Sequence, residues 1–281
     1  MYWFMTSLAA LVSRMSSAAI DRLALGIAVL VFDVLRLRRD LVLKNLAIAF
    51  PEMPDRERVR VGRESVKNFA ITALEFLRSR GTDIAADIEM RGVEHVRAAL
   101  DQGQGVYVLC FHLGNWEAMG AKISRTIVPA HVLVKKVGGG GMNRFVSELR
   151  EKNGFLAVKR QKKGDGMLEI AKALKRGEIV GFVMDQARPG EPRLPFFGQP
   201  AKTNTSFAAI WRRMQAPIVP AYIHRTAVSQ HVIEFFPELK LAVTEDEKAD
   251  IATHSTYFNE VVATHVKKHP EQYFWMHNRW K

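Results

Sequence analysis

An apolar, β-prone run in this 281-residue chain, Val106 to Phe111, ends at a histidine and continues His112-Leu113-Gly114-Asn115-Trp116-Glu117. Such an imidazole stands at the carboxyl end of a buried strand, with four residues between it and a carboxylate. Asn115 suits the cap of the helix that should follow. Glu117 falls in its first turn, where the helix dipole favours negative charge. A carboxylate so placed is expected to hold one ring nitrogen of His112, leaving the other to take a proton from an alcohol. Zinc is the competing chemistry, but the stretch lacks the His-Glu-x-x-His pattern and no nearby Cys or His completes three ligands. Neither a metal nor another cofactor is expected. Cys110, inside the apolar run, reads as a buried structural thiol and not as a nucleophile.

A second polar pair, Asp185-Gln186, follows the apolar run Ile179 to Met184 in the same manner. Residues leaving the strand ends of an α/β sheet share one rim, where sites collect. The loop Ala187 to Lys202 carries prolines at 189, 192, 195 and 200 and the run Pro195-Phe196-Phe197-Gly198, and it ends near Thr203. It is expected to roof a groove. Lys135, Lys136, Lys159, Arg160, Lys162 and Lys163 cluster near probable strand ends. They read as a solvated face or as a cradle for a phosphate or an acidic carrier protein. Arg150, near a helix end, is placed to point into the same cleft. The glycines at 138 to 141 lack a following Gly-Lys-Ser/Thr and form no phosphate-binding loop.

These residues need a frame, and the hydrophobic pattern supplies one. Strands are expected at 88–91, 106–111, 131–135, 155–158, 179–184, 218–224 and 231–236. Helices are expected at 40–50, 55–80, 93–101, 116–125, 142–152, 166–175, 203–214 and 247–268. The strand–helix rhythm predicts one α/β domain, residues 40–281, with a central mixed sheet flanked by helices. Residues 1–39 form a helical extension. Met1 to Val12 is mostly apolar, and Leu23 to Leu35 almost wholly so, broken by Asp33. Neither reaches the ~20 apolar residues of a spanning helix. Arg36, Arg38 and Arg39 then form a basic border, as where a helix leaves a headgroup layer. Membrane attachment is the favoured reading, and packing of this segment on the main domain is the other.

The 41 Lys and Arg against 29 Asp and Glu give a formal charge of +12, a surface that seeks polyanions. The basic residues are scattered and no zinc-finger or RNA-recognition signature occurs, so nucleic acid is not the expected partner. A single cysteine forms no intrachain disulfide, which fits a reducing compartment.

Taken together the chain resembles the late acyltransferases of lipid A biosynthesis, within the glycerolipid acyltransferase superfamily. The resemblance is carried by the apolar start, Lys44-Asn45-Leu46, Phe50-Pro51-Glu52 and the Phe111 to Glu117 block. It continues through Asp185-Gln186, Pro195 to Gly198, Thr203 and Tyr273-Phe274-Trp275. It implies an enzyme on the cytoplasmic face of a bacterial inner membrane, moving a fatty acyl chain from acyl carrier protein to a hydroxyl of a glycolipid. His112 would be the base and Glu117 its orienting partner. Arg150 or backbone amides near Gly114 would stabilise the oxyanion. Asn115, Lys135, Asp185, Gln186, Phe197 and Thr203 would line the substrate site. The chain departs from the family pattern at Ala187, where a second aspartate is usual, and at Lys135-Lys136, where an Arg-Pro pair is common. Other acceptors, such as a phosphatidylinositol mannoside, and a non-catalytic lipid-binding role are the alternatives.

Overall fold

A computed structural model describes residues 1–134, 138–154, 156–159, 165–186 and 189–280. Lys135, Lys136, Arg160, Lys162, Lys163 and Ala187 lie outside the described residues, as does the side chain of Lys159. The expected mixed sheet flanked by helices is present. It comprises β1 (Ile88–Arg91), β2 (Val106–Cys110), β3 (Ala130–Val134), β4 (Leu156–Lys159), β5 (Ile179–Val183), β8 (Ile218–Ala227) and β9 (Gln230–Phe235). Their order is β1-β9-β8-β2-β5-β3-β4, parallel throughout except for the β8–β9 pair.

A parallel sheet is covered on both faces, and β2 at its centre shows what that requires of a sequence. Val106, Val108 and Cys110 enter one core, with residues of α5 (Val93–Leu100) and α6 (Trp116–Thr126). Tyr107 and Leu109 enter the opposite core, with residues of α8 (Asp165–Lys175), α9 (Ser206–Arg213) and α10 (Glu247–Val266). The period of two thus feeds two cores from one apolar run. Helix α7 (Gly140–Lys152) lies against β4.

The Pro-rich segment expected to be a loop contains a hairpin, β6 (Arg193–Phe196) and β7 (Gln199–Lys202). Its two-residue turn, Phe197-Gly198, has φ +52° and +73°. Two positive φ angles suit the right-handed twist of the strands, at some strain for a bulky residue. The Phe197 ring packs on Phe50, Phe196, Trp275 and Trp280.

Before the sheet come α1 (Tyr2–Val12), α2 (Ser17–Ala28) with a π-helical continuation (Val29–Val34), α3 (Arg39–Ala49) and the long α4 (Asp55–Arg78). Helices α1 and α2 pack on α4. Phe32 is fully buried against Gly62, where a Cβ would come 2.9 Å from its ring. Asp33, the charge inside the apolar run, pairs with Arg39 and Arg63. No helix among the described residues is long and apolar enough to cross a membrane.

One buried ionic group joins these layers. Glu75 of α4, 5 % exposed, accepts from Arg225 at 2.9 Å, Asn115 at 2.8 Å and the Ser229 amide at 2.7 Å. Burial alone would raise its pKa, but the Arg225 charge and His231 outweigh that and hold the carboxyl well below its ordinary value. Its stabilisation is therefore complete above the usual carboxylate range and is lost as pH falls through the lowered native value. Glu75→Gln should destabilise the fold by roughly 3–5 kcal/mol in urea at neutral pH, because it leaves Arg225 buried without its counter-charge. The variant should also lose less stability on acidification than the wild type. Equal acid dependence of the two would show that the pair does not act this way.

Candidate active site

Strands β2 and β5 run side by side in parallel, with Cys110 opposite Val183. His112 and Asp185 each stand two residues further on, so the register brings them together. The Met184 amide donates to the Cys110 carbonyl at 2.9 Å, carrying the ladder up to the site. Asp185 then accepts from His112 twice, Oδ1 from ring Nδ1 at 2.7 Å and Oδ2 from the backbone amide at 2.9 Å. The His112 carbonyl accepts from the Phe274 amide at 3.0 Å. Ring, amide and carbonyl are thus all fixed. The imidazole is 18 % exposed and the carboxylate 2 %.

With Nδ1–H donated to a carboxylate, the lone pair of the neutral ring lies on Nε2. The Gln186 side-chain nitrogen lies 3.4 Å from Nε2, beyond a good hydrogen bond, so an incoming hydroxyl can displace it. Burial pushes Asp185 up, but the imidazole, its two hydrogen bonds and the more distant Arg279 more than offset this and keep it below the ordinary carboxylate value. The orienting group remains an anion across the neutral range. Burial, and secondarily the Asp185 charge, push the Cys110 thiol far up, which leaves it inert.

The geometry corrects the expected pairing. Asp185, and not Glu117, holds the His112 ring. Glu117 lies in the first turn of α6 and meets Arg150 of α7, which donates to it from Nε at 2.9 Å and also from Nη2. The two residues are brought together as a clamp between helices, with two nitrogens of Arg150 engaged by Glu117. Gly114 is also committed. Its amide donates to the Gln272 carbonyl at 3.2 Å and its carbonyl accepts from Thr72 at 2.8 Å. With φ +59° and a would-be Cβ only 2.2 Å from the Ile223 carbonyl, it is a glycine because the loop lies directly on β8.

The remaining expected binding residues divide. Asn115 is fully buried, caps α6 by accepting from Ala118, and donates to Glu75, so it holds the helix that carries Glu117 and offers nothing to a ligand. Thr203 is fully buried and accepts from Asn259 at 2.9 Å, tying the end of the hairpin to α10. Phe197 sits in the aromatic cluster beside the hairpin. Lys135 lies outside the described residues. Among the described residues expected to bind, Gln186 alone stands at the free ring nitrogen.

The carboxyl-terminal segment, whose Tyr273-Phe274-Trp275 run helps carry the resemblance, meets the His112 loop in contacts that the sequence did not indicate. Leu113 bridges to Tyr273, and the Phe274 ring lies 6.0 Å from the His112 ring. Trp116 meets the imidazole edge-on at 4.7 Å, and Phe69 joins Trp116 and Phe274 into an apolar wall. Arg279 is buried with its guanidinium 3.8 Å over Phe196, donating to Asn259 and to the Lys202 carbonyl. Asn45 donates to the carbonyls of Trp275 at 2.8 Å and His277 at 2.9 Å, which accounts for the asparagine in Lys44-Asn45-Leu46.

An imidazole oriented by a buried anion, on the strand-end rim of an α/β sheet, has the arrangement of a general base. The family model for bacterial lipid A biosynthesis acyltransferases matches residues 1–281, so the chain belongs to that family and is an acyltransferase. It is 22 % identical to the lipid A biosynthesis palmitoleoyltransferase of Escherichia coli (strain K12) over 254 residues, covering 88 % of this chain and 80 % of the relative. It is 26 % identical to the lipid A biosynthesis lauroyltransferase of the same strain over 284 residues, covering 96 % and 88 %.

Asp185→Asn preserves shape but removes the anion that selects the Nδ1–H tautomer. Its acyl transfer should fall by ~10²–10⁴-fold, and that of His112→Ala by at least ~10²-fold, with both proteins folded by circular dichroism. Full turnover by folded Asp185→Asn would remove the aspartate from the mechanism.

Proposed function

We propose that this protein transfers a fatty acyl chain from acyl carrier protein to a hydroxyl of a lipid A precursor, at the cytoplasmic surface of a bacterial inner membrane. The observation that carries the reading is the His112–Asp185 pair, set in a chain of the lipid A acyltransferase family. His112 Nε2 takes the proton of the acceptor hydroxyl as its oxygen attacks the thioester carbonyl. The tetrahedral intermediate collapses with breakage of the C–S bond, and the imidazolium returns its proton to the departing thiolate. Asp185 stabilises the imidazolium throughout. Gln186, whose amide lies beside Nε2, is placed to donate to the developing oxyanion. The wall of Phe69, Trp116 and Phe274 offers the acyl chain an apolar approach.

The donor assignment rests on charge. A formal +12 favours encounter with a small acidic carrier through long-range attraction, and coenzyme A gains less from an extended basic face. The test is acyl transfer by the purified protein, with acyl carrier protein or coenzyme A thioesters as donor and a lipid A precursor or a phosphatidylinositol mannoside as acceptor, products read by mass spectrometry. Acylated lipid A precursor is expected, with a higher kcat/KM from the carrier-protein donor. Transfer to the mannoside alone would overturn the acceptor, and no transfer to either would favour a lipid-binding role.

Membrane attachment is supported by the face that α1 and α2 leave uncovered. Among the described residues, eleven of the sixteen exposed large hydrophobic side chains lie in residues 1–37. Phe4 and Leu11 stand two turns apart on one stripe of α1, and Leu23 and Leu30 likewise on α2 and its continuation. Their partners on the inner face, Ala9, Val12, Ile20, Ala24, Ala28 and Phe32, are buried. Deleting residues 1–39 would strip that core, so exposed-face substitutions are the cleaner probe. The combined Trp3→Ser, Phe4→Ser and Leu30→Ser variant should bind phosphatidylglycerol-containing vesicles at least ~10-fold more weakly, since each side chain forfeits a part of its ~1.5–3 kcal/mol of burial. Wild-type binding should persist at high salt, which screens charge but not apolar burial. Equal vesicle binding by the two proteins would place the attachment elsewhere.

A further inference from the structure

One strand away from His112 lies a group of side chains that the transfer reaction does not use. His224 of β8, Glu234 of β9 and His269, three residues past the end of α10, each turn one ligand atom into a common space, all within 4.8 Å of one another. The antiparallel register sets Glu234 opposite Tyr222 and Val232 opposite His224, so His224 and Glu234 are diagonal neighbours on one face of the sheet. His269 arrives over that face, its ring stacked on His224 at 4.3 Å and 13°.

His224 is 8 % exposed and its Nδ1 has no hydrogen-bond partner. The Glu234 oxygen it faces is 3.6 Å away, too far for a hydrogen bond. A buried ring nitrogen left unpaired is costly and calls for an explanation.

We propose that His224, Glu234 and His269 bind one divalent transition-metal ion, Zn²⁺ by the nature of the donors. Two imidazoles and a carboxylate form a three-ligand zinc set, with water in the fourth position. Bonds of ~2.0–2.2 Å require ligand atoms about 3.3–3.6 Å apart, so the side chains draw together by up to roughly 1.5 Å, and the stacked imidazoles turn out of parallel to converge on the ion. The surrounding cations are accommodated. Arg91, beside Glu234 in the β1–β9 register, is paired with Glu89 at 2.7 Å, and the Lys268 ammonium lies over the Phe236 and Tyr222 rings.

The ion takes no part in acyl transfer and acts as a brace. Three residues after His269, Gln272 brackets Arg225, accepting from its amide at 2.7 Å and donating to its carbonyl at 2.9 Å. The Gln272 carbonyl receives the Gly114 amide, and Tyr273 and Phe274 then hold Leu113 and His112. A metal joining β8, β9 and His269 would fix the start of the segment that supports the His112 loop.

The test uses full-length protein stripped with EDTA and titrated with ZnCl₂ by calorimetry. One saturable equivalent is expected, together with a rise in Tm. Co²⁺ in place of Zn²⁺ should give the visible absorption of a low-symmetry nitrogen and oxygen site. His224→Gln, Glu234→Gln and His269→Gln should each weaken binding by at least ~10-fold, the least that even loss of a ligand's supporting partner costs. The His131→Gln control, on β3 three strands from β8, should bind Zn²⁺ as wild type does. Glu234 and His269 are partly exposed, so their variants keep the proposal testable if the His224 variant fails to fold. A titration without a saturable site, or one unchanged in Glu234→Gln and His269→Gln, overturns it.

Discussion

The parallel pairing of β2 with β5 is the constraint on which the site depends. The proposed chemistry needs an imidazole and a carboxylate within hydrogen-bonding distance, although 73 residues separate them in the chain. The sheet achieves this by aligning Cys110 with Val183, after which both strands end and both polar residues emerge at the same level. A slip of one residue would turn every side chain of β5 to the other face and exchange the two cores. The register is therefore enforced by the same apolar side chains that make the cores. Asp185 can remain ionised at 2 % exposure because His112 supplies two donors to it and Arg279 lies within reach of its charge.

The carboxyl-terminal segment locks this arrangement from the opposite side. After α10 the chain crosses the sheet rim, where Gln272, Tyr273 and Phe274 contact Gly114, Leu113 and His112 in turn. It then passes under α3, where Asn45 holds two of its carbonyls, and ends beside the β6–β7 hairpin, where Arg279 exchanges hydrogen bonds with Lys202. The positive φ at Phe197 is a local cost in the same structure. A glycine there would relieve the turn, but it would remove the ring that Phe50, Trp275 and Trp280 pack against.

The sheet and its helices were legible because buried parallel strands are short apolar runs bounded by turn residues, and the flanking helices repeat at 3.6. The two polar pairs at strand ends, His112 and Asp185-Gln186, were legible for the same reason. Their contact with each other was not. Spacing reports what a residue is near along the chain, and by that measure Glu117 is the natural partner of His112. The order β8-β2-β5 is set by packing across the sheet, and no local pattern reports it. Arg150 was expected in the cleft, but its pairing with Glu117 again depends on how α7 meets α6. The hairpin was hidden by Pro195 and Pro200, which face each other in a two-stranded ribbon where each proline's missing donor is tolerated. Glu75 gave no signal either, since one carboxylate on a long amphipathic helix looks like solvent-facing charge.

The amino-terminal segment shows how packing and an exposed apolar face can coexist in one stretch of sequence. Asp33 interrupts the apolar run because it must answer Arg39 and Arg63 at the point where the segment meets α4. The residue before it, Phe32, fills the notch left by Gly62, so the polar and apolar contacts anchor the same turn. On the inner face small residues, Ala9, Ala24 and Ala28, alternate with the larger Val12, Ile20 and Phe32. On the outer face they are large, Trp3, Phe4, Leu11 and Leu30. A helix that only packed on its own domain would put its large apolar side chains inward and polar ones outward. Large apolar side chains on both faces have a physical reason if the outer face meets a second apolar phase, and the inner packing then makes that face a part of the fold that carries His112.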